Sequence, residues 1–280
     1  MKLFKILLSV ILVASFLVCP VEAKTPWRSK PPIGSQIDYS HPLAKGLVGC
    51  WLMNEGGGKS VRDLARNMNG TLVGDTKFTV NNIGSCLLFD GTGDYANSNS
   101  FVDTTQLTIS VWLSTPAPTT SYMMILTKSS GVVGQPWELR FSANSGRIQF
   151  WSTTTVEGTD KGATALSANK LYHIVLTYNK VKAQIYINSI AETMSNDVSY
   201  ASGSLITSST TPILIGARKI TTPEYFFNGS MKNCYLYNRA LSSQEIQQLY
   251  IDPYCFIKPQ TDWNCIKAVT TAVRRIFTVF

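Results

Sequence analysis

Residues 225–250, YFFNGSMKNCYLYNRALSSQEIQQLY, hold a strand, a break and a capped helix in one run. From Ser230 to Tyr237 the residues alternate. Cys234 and Leu236 fall on one side and Asn233, Tyr235 and Tyr237 on the other, the period of a strand covered on at least one face. Asn238-Arg239-Ala240 breaks that period. Ser242 lies three residues before Glu245, so its hydroxyl can accept from the Glu245 N–H while the carboxylate reaches back to the Ser242 N–H. Leu241 and Ile246 flank this box as a hydrophobic staple, which predicts a short helix over 242–251 that Pro253 stops.

Working outward, the chain keeps the same period. Leu107, Ile109, Val111 and Leu113 alternate with Thr108, Ser110 and Trp112, and a strand follows over 122–126. Two hairpins are predicted, Trp137–Phe141 with Ile148–Trp151 across Ala143–Gly146, and Tyr172–Tyr178 with Ala183–Ile187 across Asn179-Lys180. Ile213–Gly216 and the final strand bring the count near a dozen, suited to two packed sheets. Charged residues make up only 15% of the 280. Such a composition, rich in Ser, Thr, Gly and Asn, favours short strands and polar loops over long amphipathic helices.

Three segments resemble a known family. The run F-N-G-x-x-x-x-x-x-x-Y-N-R-A-L-S-x-x-E-I is similar to the closing segment of laminin-G-like jelly rolls, in the concanavalin A-like lectin/glucanase superfamily. Gly46-Leu47-Val48-Gly49-Cys50-Trp51 with Asn54-Glu55-Gly56 resembles its opening strand, and Leu88-Phe89-Asp90-Gly91-Thr92-Gly93-Asp94-Tyr95 its second signature. The resemblance implies an all-β, two-sheet antiparallel jelly-roll sandwich over 46–254, with a C-terminal capped helix, that often binds carbohydrate and sometimes calcium. It does not imply one activity, because a fold hosts many functions.

The ends read differently. MKLFKILLSVILVASFLVCPVEA, residues 1–23, joins Lys2 and Lys5 to an apolar run and closes on Val21-Glu22-Ala23, the pattern of a cleaved secretory signal. Its removal leaves no expected membrane span, and the product is expected to be secreted or at the cell surface. Residues 24–45 carry Pro26, Pro31, Pro32 and Pro42 and read as an extended lead-in. In the tail, 255–280, Trp263, Ile266, Val269, Val273, Ile276 and Phe277 recur at steps of three and four, an amphipathic helix pattern.

Without the signal, 23 basic and 16 acidic residues give a net charge of +7. The basic residues are scattered, a solvated-surface pattern that argues against nucleic acid as a partner. Five cysteines remain in a disulfide-permissive setting, so one is left over. Cys255 and Cys265, ten residues apart, are the simplest local pair. The family's neighbouring terminal strands imply a Cys50–Cys234 bridge. No CxxC pair points to zinc.

The loop 61–74 resembles the family's calcium loop. That implies Asp63 and Asn69 as oxygen ligands, with Asp94 in the Gly-rich turn a further candidate, since calcium takes six to eight oxygens. Two departures weigh against the metal: Ala65-Arg66 replaces a small pair, and Lys232 stands where the family has an acid, able to neutralise Asp63 itself. Asx-turns without metal are the alternative reading, and no other cofactor is expected.

For chemistry, the paired-carboxylate run E-x-D-x-x-E of glucanases is absent, Glu138 has Arg140 on its own face as an ordinary surface pair, and His41 and His173 lie far apart. The expectation is therefore a non-catalytic module binding a glycan or a cell-surface protein. Trp112, Trp137, Trp151 and Tyr225 are the candidate stacking platforms, with core packing as the competing role of each. A structural or adhesion protein of a surface assembly is the alternative, and a glycoside hydrolase the third.

Overall fold

The computed structural model describes residues 30–98, 104–116, 121–128, 137–153, 157–196, 205, 211–219 and 222–258. Among them, two antiparallel sheets share one interior. From edge to edge, the first sheet runs β16 (Met194–Asn196), β12 (Glu157–Ala165), β11 (Arg147–Thr153), β10 (Trp137–Phe141), β9 (Met123–Lys128), β17 (Ile213–Ile215), β7 (Tyr95–Ser98), β4 (Gly70–Val73) and β3 (Ser60–Val61). The second runs β15 (Ile190–Ala191), β14 (Ala183–Ile187), β13 (Tyr172–Tyr178), β8 (Leu107–Ser114), β20 (Asn228–Tyr237), β6 (Gly84–Asp90) and β5 (Lys77–Asn81), with β2 (Leu47–Trp51) also paired to β20. Two short ribbons join β1 (Gln36–Ile37) to β21 (Ile257–Lys258) and β18 (Arg218–Lys219) to β19 (Pro223–Glu224).

This is the jelly-roll sandwich, and alternation explains how it closes. Leu107, Ile109, Val111 and Leu113 of β8 and Cys234 and Leu236 of β20 point into one core with Ile125, Leu139, Ile148 and Phe150 of the facing sheet. Stacking two sheets through such inner faces removes apolar surface from water at about 25 cal/mol per Å². The Phe-Asn-Gly motif acquires a physical reason at its last residue. Gly229 has φ +141°, and a Cβ there would lie 2.2 Å from the Ser114 carbonyl oxygen. Only a residue without a side chain lets β20 lie so close to β8.

The opposite face of the second sheet is also covered. Cys50, Val175, Tyr235 and Tyr237 form a second apolar cluster with Leu43, Leu241, Ile246, Leu249 and Phe256. The helix α1 (Ser243–Ile251) contributes Ile246 and Leu249 to it. Both arms of the capping box form, Glu245 N donating to Ser242 Oγ at 3.3 Å and Ser242 N to Glu245 Oε2 at 2.9 Å. Arg239 forks onto the same Glu245 carboxylate at 2.9 and 2.6 Å and donates to the Lys45 carbonyl oxygen, so the break before the helix also holds the lead-in. Arg239 and the Ser242 N–H hold the Glu245 pKa below the usual carboxylate value.

Two expectations are corrected here. Cys50 stands opposite Tyr235 and Trp51 opposite Cys234, so the two cysteines occupy neighbouring strands at positions one apart and point to opposite faces. Cys234 lies in the inter-sheet core, Cys50 in the cluster under α1, and both are free thiols rather than the Cys50–Cys234 bridge. The lead-in is also more than extended chain. Ile37 pairs with Ile257, Leu43 is fully buried, and Lys30–Lys258 form one compact unit. The signal segment, Cys265 with its proposed pairing to Cys255, and the tail beyond Lys258 lie outside the described residues.

Candidate functional site: a charged and aromatic cluster on the outer face of the first sheet

Helix α1 and the lead-in cover the outside of the second sheet; the outside of the first is built from other chemistry. Asn97, Leu214, Thr127, Glu138, Trp151 and Thr159 stand opposite one another in six successive strands. Their neighbours Ala96, Ile213, Leu126, Leu139 and Phe150 fill the core, so alternation turns the row outward. Five strand spacings make it about 24 Å long.

Glu138 is the centre of this row and is fully buried. Arg140 Nη1 donates to its Oε2 at 2.6 Å, and Arg218 Nη1 approaches its Oε1 at 3.4 Å. Arg140 Nε donates to Gln149 Oε1 at 2.9 Å, while Arg218 sends Nε and Nη2 to the single oxygen Glu224 Oε1 at 2.9 and 2.7 Å. The expected surface pair is thus part of a network of two guanidiniums and two carboxylates, buried at Glu138 and open at Glu224. Burial opposes the charge on Arg218, but Glu138 and Glu224 outweigh it and raise its pKa above the ordinary arginine value.

Aromatic rings wall this network. The Arg140 guanidinium lies 4.4 Å from the centre of the Tyr122 ring, and that of Arg218 lies 4.6 Å from Tyr225. The two tyrosines meet edge to face with centroids 5.7 Å apart. Each guanidinium therefore has a ring against its flat face and acceptors along its edge, the arrangement that uses arginine fully. Tyr225 reaches its place at φ +54°, with its carbonyl accepting from Met124 N at 3.0 Å. A left-handed backbone at a non-glycine residue costs about 1 kcal/mol or more and clusters at working sites.

The four candidate platforms separate. Trp151, half-buried on the outer face beside Glu138, and Tyr225 belong to the cluster. Trp137 is buried in the inter-sheet core. Trp112 is buried on the other sheet, in a triangle of near-parallel rings with His173 at 4.8 Å and Tyr250 of α1 at 5.7 Å, the last two being 6.0 Å apart. Neither can face a ligand, because Trp137 points into the inter-sheet core and Trp112 lies beneath α1. Arg218, Glu224 and Tyr122 were missed, since what joins them to Glu138 is tertiary: Arg218 and Glu138 are 80 positions apart.

The residues of the expected calcium loop do not fit a metal. Asp63 Oδ1 accepts from the N–H groups of Cys50 and Ala65, both at 2.9 Å, and Asn69 Oδ1 accepts from Asp63 N. Burial pushes the Asp63 carboxyl above its usual pKa, against the pull of those N–H donors. Asp94 spends both oxygens on the N–H groups of Asp75 and Asp90, an Asx-type tie between turns. No group of three His, Cys, Asp or Glu side chains converges among the described residues. Lys232 does not neutralise Asp63; its backbone carbonyl, with those of Leu52 and Met53, accepts from the Lys30 ammonium. Met53 at φ +56° turns two successive carbonyls toward that one cation. Burial and the neighbouring Lys232 lower the Lys30 pKa to about 7.

Two further features are weaker as sites. Ser110 Oγ lies 2.8 Å from His173 Nε2, but His173 is fully buried and no acid among the described residues reaches its Nδ1 to orient it as in a triad. A cavity of about 20 Å³ between the lead-in and β2, lined by Ser35, Leu52, Glu55 and Arg62, has room for a water and not for a sugar.

Comparisons with known proteins agree with this architecture. The laminin-G family model, described as concanavalin A-like lectin/glucanases superfamily, matches residues 90–247, more than half of the chain. No curated protein matches. Among solved structures, Trypanosoma rangeli sialidase in complex with sialic acid is 18% identical at a TM-score of 0.57, covering 76% of this chain and 34% of its own. Domain 4 of AbnA, a GH43 extracellular arabinanase from Geobacillus stearothermophilus in complex with arabinotriose, is 14% identical at a TM-score of 0.55, covering 73% and 98%. The binding domain of Paraclostridial Mosquitocidal Protein 1 is 15% identical at 0.55, covering 74% and 52%. The chain thus spans about a third of the sialidase, and at these identities the likeness is one of fold. By the matched family model and its two-sheet topology, the chain belongs to the laminin-G-like family of the concanavalin A-like lectin/glucanase superfamily.

Proposed function

We propose that this chain is a secreted or surface-exposed binding module that recognises carbohydrate, without chemistry, on the outer face of its first sheet. The observation that carries the reading is the Glu138–Arg140–Arg218 network walled by Tyr122 and Tyr225, with Trp151 beside it. A sugar offers flat apolar CH faces for a ring and hydroxyls for planar, forked polar groups; the half-buried rings of Tyr122, Tyr225 and Trp151 offer the first and the accessible edges of Arg218 and Glu224 the second, above the buried Glu138 and Arg140 that hold them. Two of the similar folds were solved with sugars bound, sialic acid and arabinotriose, which supports the ligand class.

Non-catalysis is part of the proposal. Both oxygens of Glu138 are engaged by guanidinium groups, whereas a glycosidase acid must hold a proton to give. The test is a soluble glycan array probed with the chain and with Trp151→Ala. Binders lost in the variant support the proposal; an array without binders, or reducing-sugar release from any bound glycan, contradicts it.

A further inference from the structure

We infer that the sugar recognised on this face carries a carboxylate, and that Glu224 occupies the place of that carboxylate in the unliganded protein. The inference rests on the proposed glycan binding and concerns its class of ligand.

The two acids on Arg218 are not equivalent. Glu138 is fully buried and shared with Arg140, so it is fixed. Glu224 is the most exposed member of the network, its side chain 38% accessible, and it uses only Oε1, taking two N–H groups of Arg218 on that single atom. A carboxylate facing a guanidinium edge with two oxygens makes parallel, two-atom contacts instead. The outer edge of Arg218 thus holds its partner in the weaker of the available geometries. Ion pairs as exposed as this one are held loosely, so exchange is easy.

Exchange also keeps the number of carboxylates on Arg218 constant, with Glu224 released to solvent. The network balances Arg140 and Arg218 against Glu138 and Glu224, and a ligand carboxylate that displaces Glu224 leaves the balance around Arg218 intact. A neutral hydroxyl in that position would leave a partly buried guanidinium short of an anion. Tyr225 stays against the Arg218 face in either state and holds the fork in place for the incoming group. The net charge of +7 left once the signal segment is removed draws acidic glycans in general toward the chain, which raises encounter with such ligands.

The test is calorimetric titration of wild type, Glu224→Gln and Arg218→Gln. The probes are uronate- and sialate-bearing oligosaccharides, their carboxyl-reduced neutral counterparts and sulfated oligosaccharides, with melting curves to verify folding. The expected result is at least tenfold tighter binding of a carboxylate sugar than of its reduced counterpart. Glu224→Gln should tighten the carboxylate sugar about fivefold and leave the neutral one unchanged, and Arg218→Gln should abolish the preference. Equal binding of both forms, or preference for sulfate alone, overturns the inference while the glycan-binding reading stands. Binding of none of the sugars overturns both.

Discussion

Trp112 of β8 and Tyr250 of α1 stack with ring planes 4° apart and centroids 5.7 Å apart, and this contact seals the helix to the outside of the second sheet. It removes one of the two sandwich faces from consideration as a ligand surface and leaves the Glu138 face. Tyr250→Ala should lower stability by about 1–3 kcal/mol through lost ring burial and stacking, without altering glycan binding. Urea denaturation beside a binding isotherm checks both halves.

His173 completes the same ring cluster, beside both Trp112 and Tyr250, and burial depresses its pKa to about 3. Its ordinary value is 6.5. Between those values the unfolded chain binds a proton that the folded chain refuses, so stability falls as pH drops from about 6.5 toward 3. The slope from this residue is at most about 1.4 kcal/mol per pH unit. Titrating carboxylates add their own slopes, so the quantity to measure is the difference between wild type and His173→Gln. The variant is expected to show the shallower loss between pH 6 and pH 4; parallel curves would contradict the assignment.

Gly229 supplies a steric prediction. An added methyl group would meet the Ser114 carbonyl oxygen at 2.2 Å, and backbone cannot give way as a side-chain tip can. Gly229→Ala should therefore cost more than about 2 kcal/mol, with the last strand displaced from β8. A melting temperature within a degree of wild type would contradict it.

The Lys30 ammonium is held by three carbonyls at the end of β2, while the oxygens of Asn69 and Asp94 and Oδ1 of Asp63 accept from backbone N–H groups. Calcium and chelator should leave the wild-type melting temperature unchanged. Lys30→Met, which leaves those carbonyls without their donor, should lower stability by about 2 kcal/mol or more. A calcium-dependent rise in the wild-type melting temperature would contradict this.

Much of the fold was legible because short-range rules agree with the tertiary outcome. The alternation of Ser230–Tyr237 sorted Cys234 and Leu236 from Tyr235 and Tyr237 onto the faces they occupy, and Ser242 with Glu245 marked the helix start. What failed were inferences across strands. Cys50 and Cys234 are neighbours in the sheet, yet a register offset of one residue sends their side chains to opposite faces. Trp112 looked outward by its period, and α1 then covered it, which no local pattern announces. At the site, Trp151 and Tyr225 were recognisable by type. Arg218 was not, because its role depends on β17 and β10 lying on either side of β9.

The most direct test of the account is the affinity of Trp151→Ala for the tightest glycan found on the array, measured beside Ile251→Ser on exposed helix α1. The account predicts at least a tenfold loss for Trp151→Ala, about 1.4 kcal/mol, with Ile251→Ser unchanged. Retained affinity in the first variant and loss in the second would place the ligand on the other face and contradict it.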